Sequence, residues 1–230
     1  MRYNNVIKAE FISRENRFIA YVRINGVVER VHVKNTGRCR ELLVPGATVY
    51  LDRSDVPTRR TAYDLIAVEK ATACGMKLIN MDSMSPNSAV AEWLPDSGLF
   101  GPDAHIRREY TYGDSRFDFY VEDGDRRALI EVKGVTLEDG GVVSFPDAPT
   151  KRGVKHLRGL AEAIGQGLDA YVVFVVQMDG VGFFRPNEVN DPEFAEELRR
   201  ACSAGVKILV YSCSVLPYEM NVSSPLEVRL

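Results

Sequence analysis

Between residues 17 and 24, Phe18, Ala20, Val22 and Ile24 alternate with Arg17, Ile19, Tyr21 and Arg23. A period of two with one apolar face predicts a half-buried strand. Asn25-Gly26 follows, the pair best suited to a type I′ turn, because both central positions of that turn need positive φ. Residues 27–33 are the return strand. Further strands are expected over residues 47–52, 63–70 and 76–80, separated by Pro45-Gly46 and by the stretch 54–60. Five short strands with no helix among them predict a small closed barrel of the OB kind.

The pattern changes at Ser85-Pro86. Serine as N-cap with proline at the first helical position starts a helix. Ala89, Val90, Trp93 and Leu94 supply its apolar stripe, and Pro95 and Gly98 end it. Three strands follow, over 106–112, 116–121 and 128–135, turned by Gly113-Asp114 and Asp123-Gly124-Asp125. Thr150 caps a second helix reaching about Ile164, with Val154, Leu157, Ala161 and Ile164 on one face. Residues 170–176 are almost uninterrupted β-branched and aromatic sequence, as in a parallel strand covered on both faces. Asp191-Pro192 opens another helix along Phe194, Leu198 and Ala201, and a last strand runs over 206–212. The order is αβββαβ, then αβ. The expected organisation is α/β with an all-β N-terminal domain: a barrel over residues 1–84 and an α/β domain over residues 85–230.

Composition narrows the function classes. The 230 residues are 45% hydrophobic and 27% charged, which is ordinary globular usage. Charged residues interrupt every apolar run, so no membrane partner is expected. No apolar signal core follows Met1, so the expectation is a cytoplasmic protein. Cys39, Cys74, Cys202 and Cys213 are widely spaced and read as reduced, mostly buried thiols; with three histidines and no cysteine pair, zinc is not expected. No Walker loop or dinucleotide fingerprint occurs. The net charge of −3 conceals an asymmetry: residues 1–85 hold 14 Lys/Arg against 9 Asp/Glu, and residues 86–230 hold 15 against 23. Within the basic part, Arg17, Tyr21, Arg23, Arg30, His32 and Lys34 mix cations with an aromatic ring, the composition of a surface that tracks phosphates and stacks bases, or of an ordinary solvated strand face.

One constellation carries chemistry. Glu131-Val132-Lys133 lies on the third strand of the second domain and Asp118 on the second. Strand side chains alternate, so Glu131 and Lys133 share a face and Val132 points into the core. Adjacent antiparallel strands lie about 4.8 Å apart, which lets Asp118 reach the same patch. Close carboxylates repel unless a cation sits between them. The expected site is Mg²⁺ (or Mn²⁺) held by Asp118, Glu131 and the Val132 carbonyl, with Lys133 steadying charge on a phosphate. The competing reading is a structural ion pair.

Asp114-Ser115-Arg116-Phe117-Asp118-Phe119, Glu131 to Leu137, and Phe145-Pro146-Asp147-Ala148-Pro149-Thr150-Lys151-Arg152-Gly153-Val154-Lys155-His156-Leu157 resemble the sugar fermentation stimulation protein A (SfsA) family, as does Asn35-Thr36-Gly37. The resemblance covers nearly the whole chain. It implies an OB domain followed by a PD-(D/E)xK, restriction-endonuclease-like domain, with binding of DNA and/or RNA and metal-dependent cleavage; Phe117 stands where that motif has proline. It also directs attention to Glu109 as a further metal ligand, or alternatively a cross-strand partner of Arg116, and to Glu92 on the first helix as a candidate acid. Lys151, Lys155 and Arg158 share a helix face, with Arg152 and His156 beside it. Arg116, Lys151, Arg152, Lys155 and His156, with Arg23 and Lys34 of the barrel, are the expected nucleic-acid contacts. The alternative function is a non-catalytic DNA-binding regulator of sugar (maltose) metabolism.

Overall fold

A computed structural model describes residues 1–35, 37, 39–56, 58–72 and 75–230. Thr36 of the Asn-Thr-Gly motif and Cys74 lie outside the described residues. The N-terminal sheet contains β1 (Val6–Asn16), β2 (Ile19–Ile24), β3 (Val27–Val33), β4 (Thr48–Arg53), β5 (Tyr63–Thr72) and β6 (Gly75–Asn80). β1 pairs antiparallel with β2 and β4, β2 with β3, and β4 with β5. A short parallel pairing of β3 with β5, at His32–Asp64 and Val33–Leu65, closes the circuit. β1 is bulged between Phe11 and Ser13 and between Arg14 and Asn16. Such bulges bend a long strand around a barrel. Phe11, Val22, Val31, Val49, Leu51 and Leu65 fill the interior. Asn25 and Gly26 both take positive φ, +48° and +84°, as the hairpin turn requires.

The expected barrel of five strands is present, but its membership differs. β1 is not among the expected strands, and β6 lies outside the circuit, paired among the described residues with β5 alone.

The second domain comprises α1 (Ser85–Trp93), β7 (His105–Tyr112), β8 (Ser115–Asp123), β9 (Arg126–Val135), β10 (Leu137–Asp139), β11 (Val142–Phe145), α2 (Lys151–Gly165), β12 (Asp169–Val176), β13 (Phe183–Pro186), α3 (Pro192–Ser203), β14 (Lys207–Leu216), β15 (Glu219–Pro225) and β16 (Glu227–Val228). Its main sheet has the order β15-β14-β12-β9-β8-β7, with parallel pairing at β9–β12 and β12–β14. A smaller sheet, β10-β11-β13-β16, lies beside it. Two apolar layers cover the main sheet. Ala89 and Val90 of α1, with Leu94 just past its end, pack with Ile130, Val132, Val173 and Val175. Val154, Leu157 and Leu160 of α2 pack with Leu129, Val135, Val172 and Phe174. Alternation along β9 and β12 therefore assigns successive residues to opposite helices, and both strands are buried throughout their centres. The Thr150 hydroxyl accepts from Gly153 N at 3.0 Å and Asp191 Oδ1 from Phe194 N at 3.0 Å, capping α2 and α3. Each cap contributes about 1 kcal/mol.

Ser85 departs from its expected role as N-cap. Met84 occupies that position without a side-chain bond, and Ser85 is buried in the junction between domains. There Gln177, just past β12, donates to Asn80 O (3.0 Å), Asp82 O (3.1 Å) and Ser85 Oγ (3.2 Å). Lys34 pairs with buried Asp82 at 2.8 Å, and Lys70 of β5 pairs with Glu138 of β10 at 2.7 Å. The first three residues lie on the second domain: Tyr3 N donates to Tyr218 O at 2.8 Å, and Met220 N to Met1 O at 3.0 Å.

Candidate metal centre at the splayed end of β8 and β9

The ladder between β8 and β9 runs from Asp123–Arg126 to Phe119–Ile130 and stops there. At the next position Asp118 substitutes a side chain for the main chain: Val132 N donates to Asp118 Oδ2 at 2.7 Å. The strand rotates at this point. Phe119 belongs to the α1 layer, whereas Phe117 belongs to the α2 layer and packs against the His156 ring at 5.6 Å between centroids. Strict alternation would put both phenylalanines on one face. β7 is disturbed opposite: Arg108–Phe119 and Tyr110–Phe117 pair, but Glu109 between them has φ +54°. A non-glycine residue in that region is uncommon and marks local strain.

Glu131 and Lys133 project to the α2 side as alternation requires. Glu131 is 3% exposed, and its Oε1 meets both the Lys133 ammonium and Nδ1 of His156. Burial alone would raise the Glu131 carboxyl, but the His156 hydrogen bond and the Lys133 charge outweigh it and hold it below the ordinary glutamate value. Asp118 moves the other way: burial first, then the Glu131 charge, raise its carboxyl despite hydrogen bonds from Val132 N and Asn87. Two adjacent carboxylates displaced in opposite directions are a recognised mark of functional chemistry. Glu131 Oε2 is buried and has no hydrogen-bond partner. An orphaned carboxylate oxygen in a protein interior is costly, and a cation is one group that would satisfy it. Among the described residues no cluster of three or more His, Cys, Asp or Glu side chains forms that could hold a metal. Any hard cation here would therefore take Asp118, Glu131, backbone oxygen and water, a donor set that suits Mg²⁺.

The other expected residues divide sharply. Glu109 is exposed and lies 3.6 Å from Arg116, the cross-strand arrangement. Glu92 pairs with the N-terminal ammonium at 2.6 Å, away from the site. The α1 side chain that does reach Asp118 is Asn87, donating to Oδ1 at 2.6 Å. Sequence reading passed over Asn87 because a neutral amide in a first helical turn carries no chemical signature of its own. Lys151 is exposed; Arg152 Nε lies 3.4 Å from His156 Nε2; Lys155 pairs with Asp114 at 3.0 Å. His156, expected among surface phosphate contacts, is 4% exposed and turned inward onto Glu131. On the barrel, Arg23 pairs with Glu10 at 2.7 Å, Arg30 with Glu15 at 3.7 Å and His32 with Asp64 at 2.9 Å. With Lys34 on Asp82, most of the anticipated cationic face is internally neutralised.

Replacing Asn87 with alanine removes one of the two groups orienting Asp118. Outer partners of this kind typically change metal affinity by about 10–100-fold. Calorimetric titration of Mn²⁺ into the N87A variant should show weakening in that range, with the unfolding midpoint of the metal-free protein little changed.

The chain matches two family models, "SfsA N-terminal OB domain" over residues 12–80 and "Sugar fermentation stimulation protein RE domain" over residues 84–219. It is 50% identical over 230 residues to a sugar fermentation stimulation protein homolog of Desulfitobacterium hafniense (strain Y51), covering 100% of this chain and 99% of that one. A homolog from Ruminiclostridium cellulolyticum is 47% identical and covered completely in both. Among solved structures, Pyrococcus furiosus SfsA, determined in complex with Ca²⁺, superimposes with a TM-score of 0.88 at 29% identity, covering 100% of this chain and 98% of that one.

Proposed function

Because the chain belongs to the SfsA family of sugar fermentation stimulation proteins, both of whose domains it matches, we propose that it is a nucleic-acid-binding protein that hydrolyses phosphodiester bonds with a divalent metal. Residues 1–84 are the capturing barrel and residues 85–230 the cleaving domain. The observation that carries this reading is the unsatisfied Oε2 of Glu131 beside Asp118. A relative determined in complex with Ca²⁺ supports divalent-cation binding, and Mg²⁺ or Mn²⁺ at Asp118 and Glu131 is the proposed working arrangement.

Asp118, Glu131 and the Val132 carbonyl are the proposed ligands. The ion, when bound, would acidify a water and polarise the scissile phosphate. His156 holds Glu131 in position through Oε1, leaving Oε2 without a hydrogen-bond partner and free to ligate a cation. Asn87 and Val132 N–H fix the plane of the Asp118 carboxylate. Lys133, which shares Glu131 Oε1 with His156, is the cation that steadies charge building on the phosphate. Lys151, Arg152 and Lys155 at the start of α2 position the strand through its backbone without reading bases.

The test incubates the pure protein with single-stranded and duplex DNA and RNA, with Mg²⁺, Mn²⁺ or chelator. Metal-dependent cutting is expected. Binding that is indifferent to metal, with no cutting under any condition, would overturn the enzyme reading in favour of a DNA-binding regulator.

A further inference from the structure

Asn35 and Gly37 of the first domain meet the Phe145–Thr150 segment of the second. A Cβ added to Gly37 would stand 2.6 Å from Asp147 Oδ2, so the Asp147 side chain occupies the space a larger residue would need. Two concavities flank this contact. One, of about 530 Å³, is lined by Arg14, Arg17, Gly37, Arg40, Ala148 and Pro149. The other, of about 300 Å³, is lined by Asn35, Gly37, Gly134, Thr136 and Asp147 among others. Gly37, Ala148 and Pro149 border both. Gly134 and Thr136 bracket the carboxyl end of β9, so the second concavity opens at the end of the strand that carries Glu131 and Lys133, where α/β sheets receive ligands.

The arginines here have different duties. Arg14 donates to four main-chain carbonyls, those of Asn16 (3.1 Å), Arg17 (2.6 Å), Asn35 (3.0 Å) and Gly37 (3.0 Å), and so ties these residues together. Arg17 and Arg40 are exposed at the rim, and among the described residues neither forms an ion pair. That distinguishes them from Arg23, Arg30, His32 and Lys34 on the same barrel. Two unpaired guanidinium groups close to the half-buried charge of Arg14 favour an anion in the cleft. Phe18, beside Arg17, is 47% exposed and borders a neighbouring apolar hollow with Lys34 and Met84. Unpaired cations alternating with an exposed ring match a strand whose phosphates and bases alternate.

We infer that this interdomain cleft guides one unpaired strand of nucleic acid towards Lys133, with Arg17 and Arg40 as phosphate contacts and Phe18 as a stacking surface. The inference rests on the proposed nuclease reading and narrows its substrate to single strands.

The experiment measures binding of the full, metal-free protein to labelled single-stranded DNA, single-stranded RNA and a duplex of the same sequence across a salt series. The wild type should prefer either single strand over duplex; comparison of the DNA and RNA arms shows which sugar it favours. Arg17→Glu/Arg40→Glu should lose about tenfold or more in single-strand affinity. Its salt slope should fall by about 1.4, the value for two lost phosphate contacts on a single strand. Arg127→Glu/Arg185→Glu carries the same charge change on exposed residues outside the cleft and should bind as the wild type does. Arg17→Gln/Arg40→Gln, a gentler change, should show the same slope reduction if the first variant folds poorly. Duplex bound as tightly as single strand, or single-strand affinity equal in the cleft and control variants, overturns the inference. Neither result touches the nuclease reading, which fails separately if the wild type cuts nothing with metal present.

Discussion

Asp118→Asn should abolish metal-dependent cleavage while leaving the metal-free protein as stable as the parent or more so. Asparagine preserves both contacts at this position: its carbonyl oxygen can accept from Val132 N, and its amide can donate to Asn87 once that side chain turns its own oxygen inward. What it removes is a charge. Burial and Glu131 hold the Asp118 carboxyl above the ordinary aspartate value, so the folded protein carries this carboxylate at a penalty that grows as pH rises through the shifted pKa. A neutral amide lifts the penalty. The cation, by contrast, depends on that charge. Loss of a direct ligand should exceed the loss seen for outer partners, giving more than about 100-fold in cleavage rate. A melt series with and without Mn²⁺ should show a metal-induced rise in the parent at neutral pH and none in the variant. A variant that still cuts in Mn²⁺ within tenfold of the parent would remove Asp118 from the chemistry.

The largest effect on stability is expected at the seam between domains. Glu138 is 3% exposed and is held by Lys70 and by Gly141 N at 2.8 Å. Burial opposes its ionisation, yet the hydrogen bonds from Lys70 and Gly141, with the Lys70 charge, keep its carboxyl below the ordinary value of 4.5. A depressed carboxyl stabilises the fold above its unfolded pKa, and that contribution disappears as pH falls through the folded value. Lys70→Met leaves the carboxylate buried beside a thioether. Removal of one partner of a buried pair costs about 3–5 kcal/mol. The pH response at this site should also reverse: the unpaired Glu138 would titrate above its unfolded value, so the variant should gain stability relative to the parent between pH 7 and pH 5, where the paired Glu138 of the parent contributes no slope. Urea unfolding at the two pH values measures both effects. A loss under about 1 kcal/mol would show that water reaches Glu138 freely.

Much of this architecture was legible before any coordinates. Asn25-Gly26 specified its hairpin through backbone conformation alone, and the αβββαβ order followed from local periodicity. Glu131 and Lys133 shared a face because two-residue spacing on a strand leaves no alternative. β1 is legible only in its first half: Ile7, Ala9 and Phe11 alternate with Lys8 and Glu10 as a strand should, but the two bulges beyond Phe11 break that period before it is long enough to stand out. The circuit closure at His32–Asp64 joins residues with no local relation. The rotation at Asp118, the reach of Asn87 and the inward turn of His156 all depend on packing between distant elements. Charge pattern misled most on the barrel, where cations readable along the chain meet acids supplied from elsewhere in it.

The docking of Met1–Tyr3 against β15, the edge strand of the second domain's main sheet, has a mechanical meaning. The barrel is fastened where the chain enters it and again where the chain leaves it, at Asn80–Ser85. A body buckled on two sides has no free swing. Loading by a clamshell motion would have to break both fastenings, so a long polymer is better admitted by feeding a loose end through the gap than by opening the jaws around its middle.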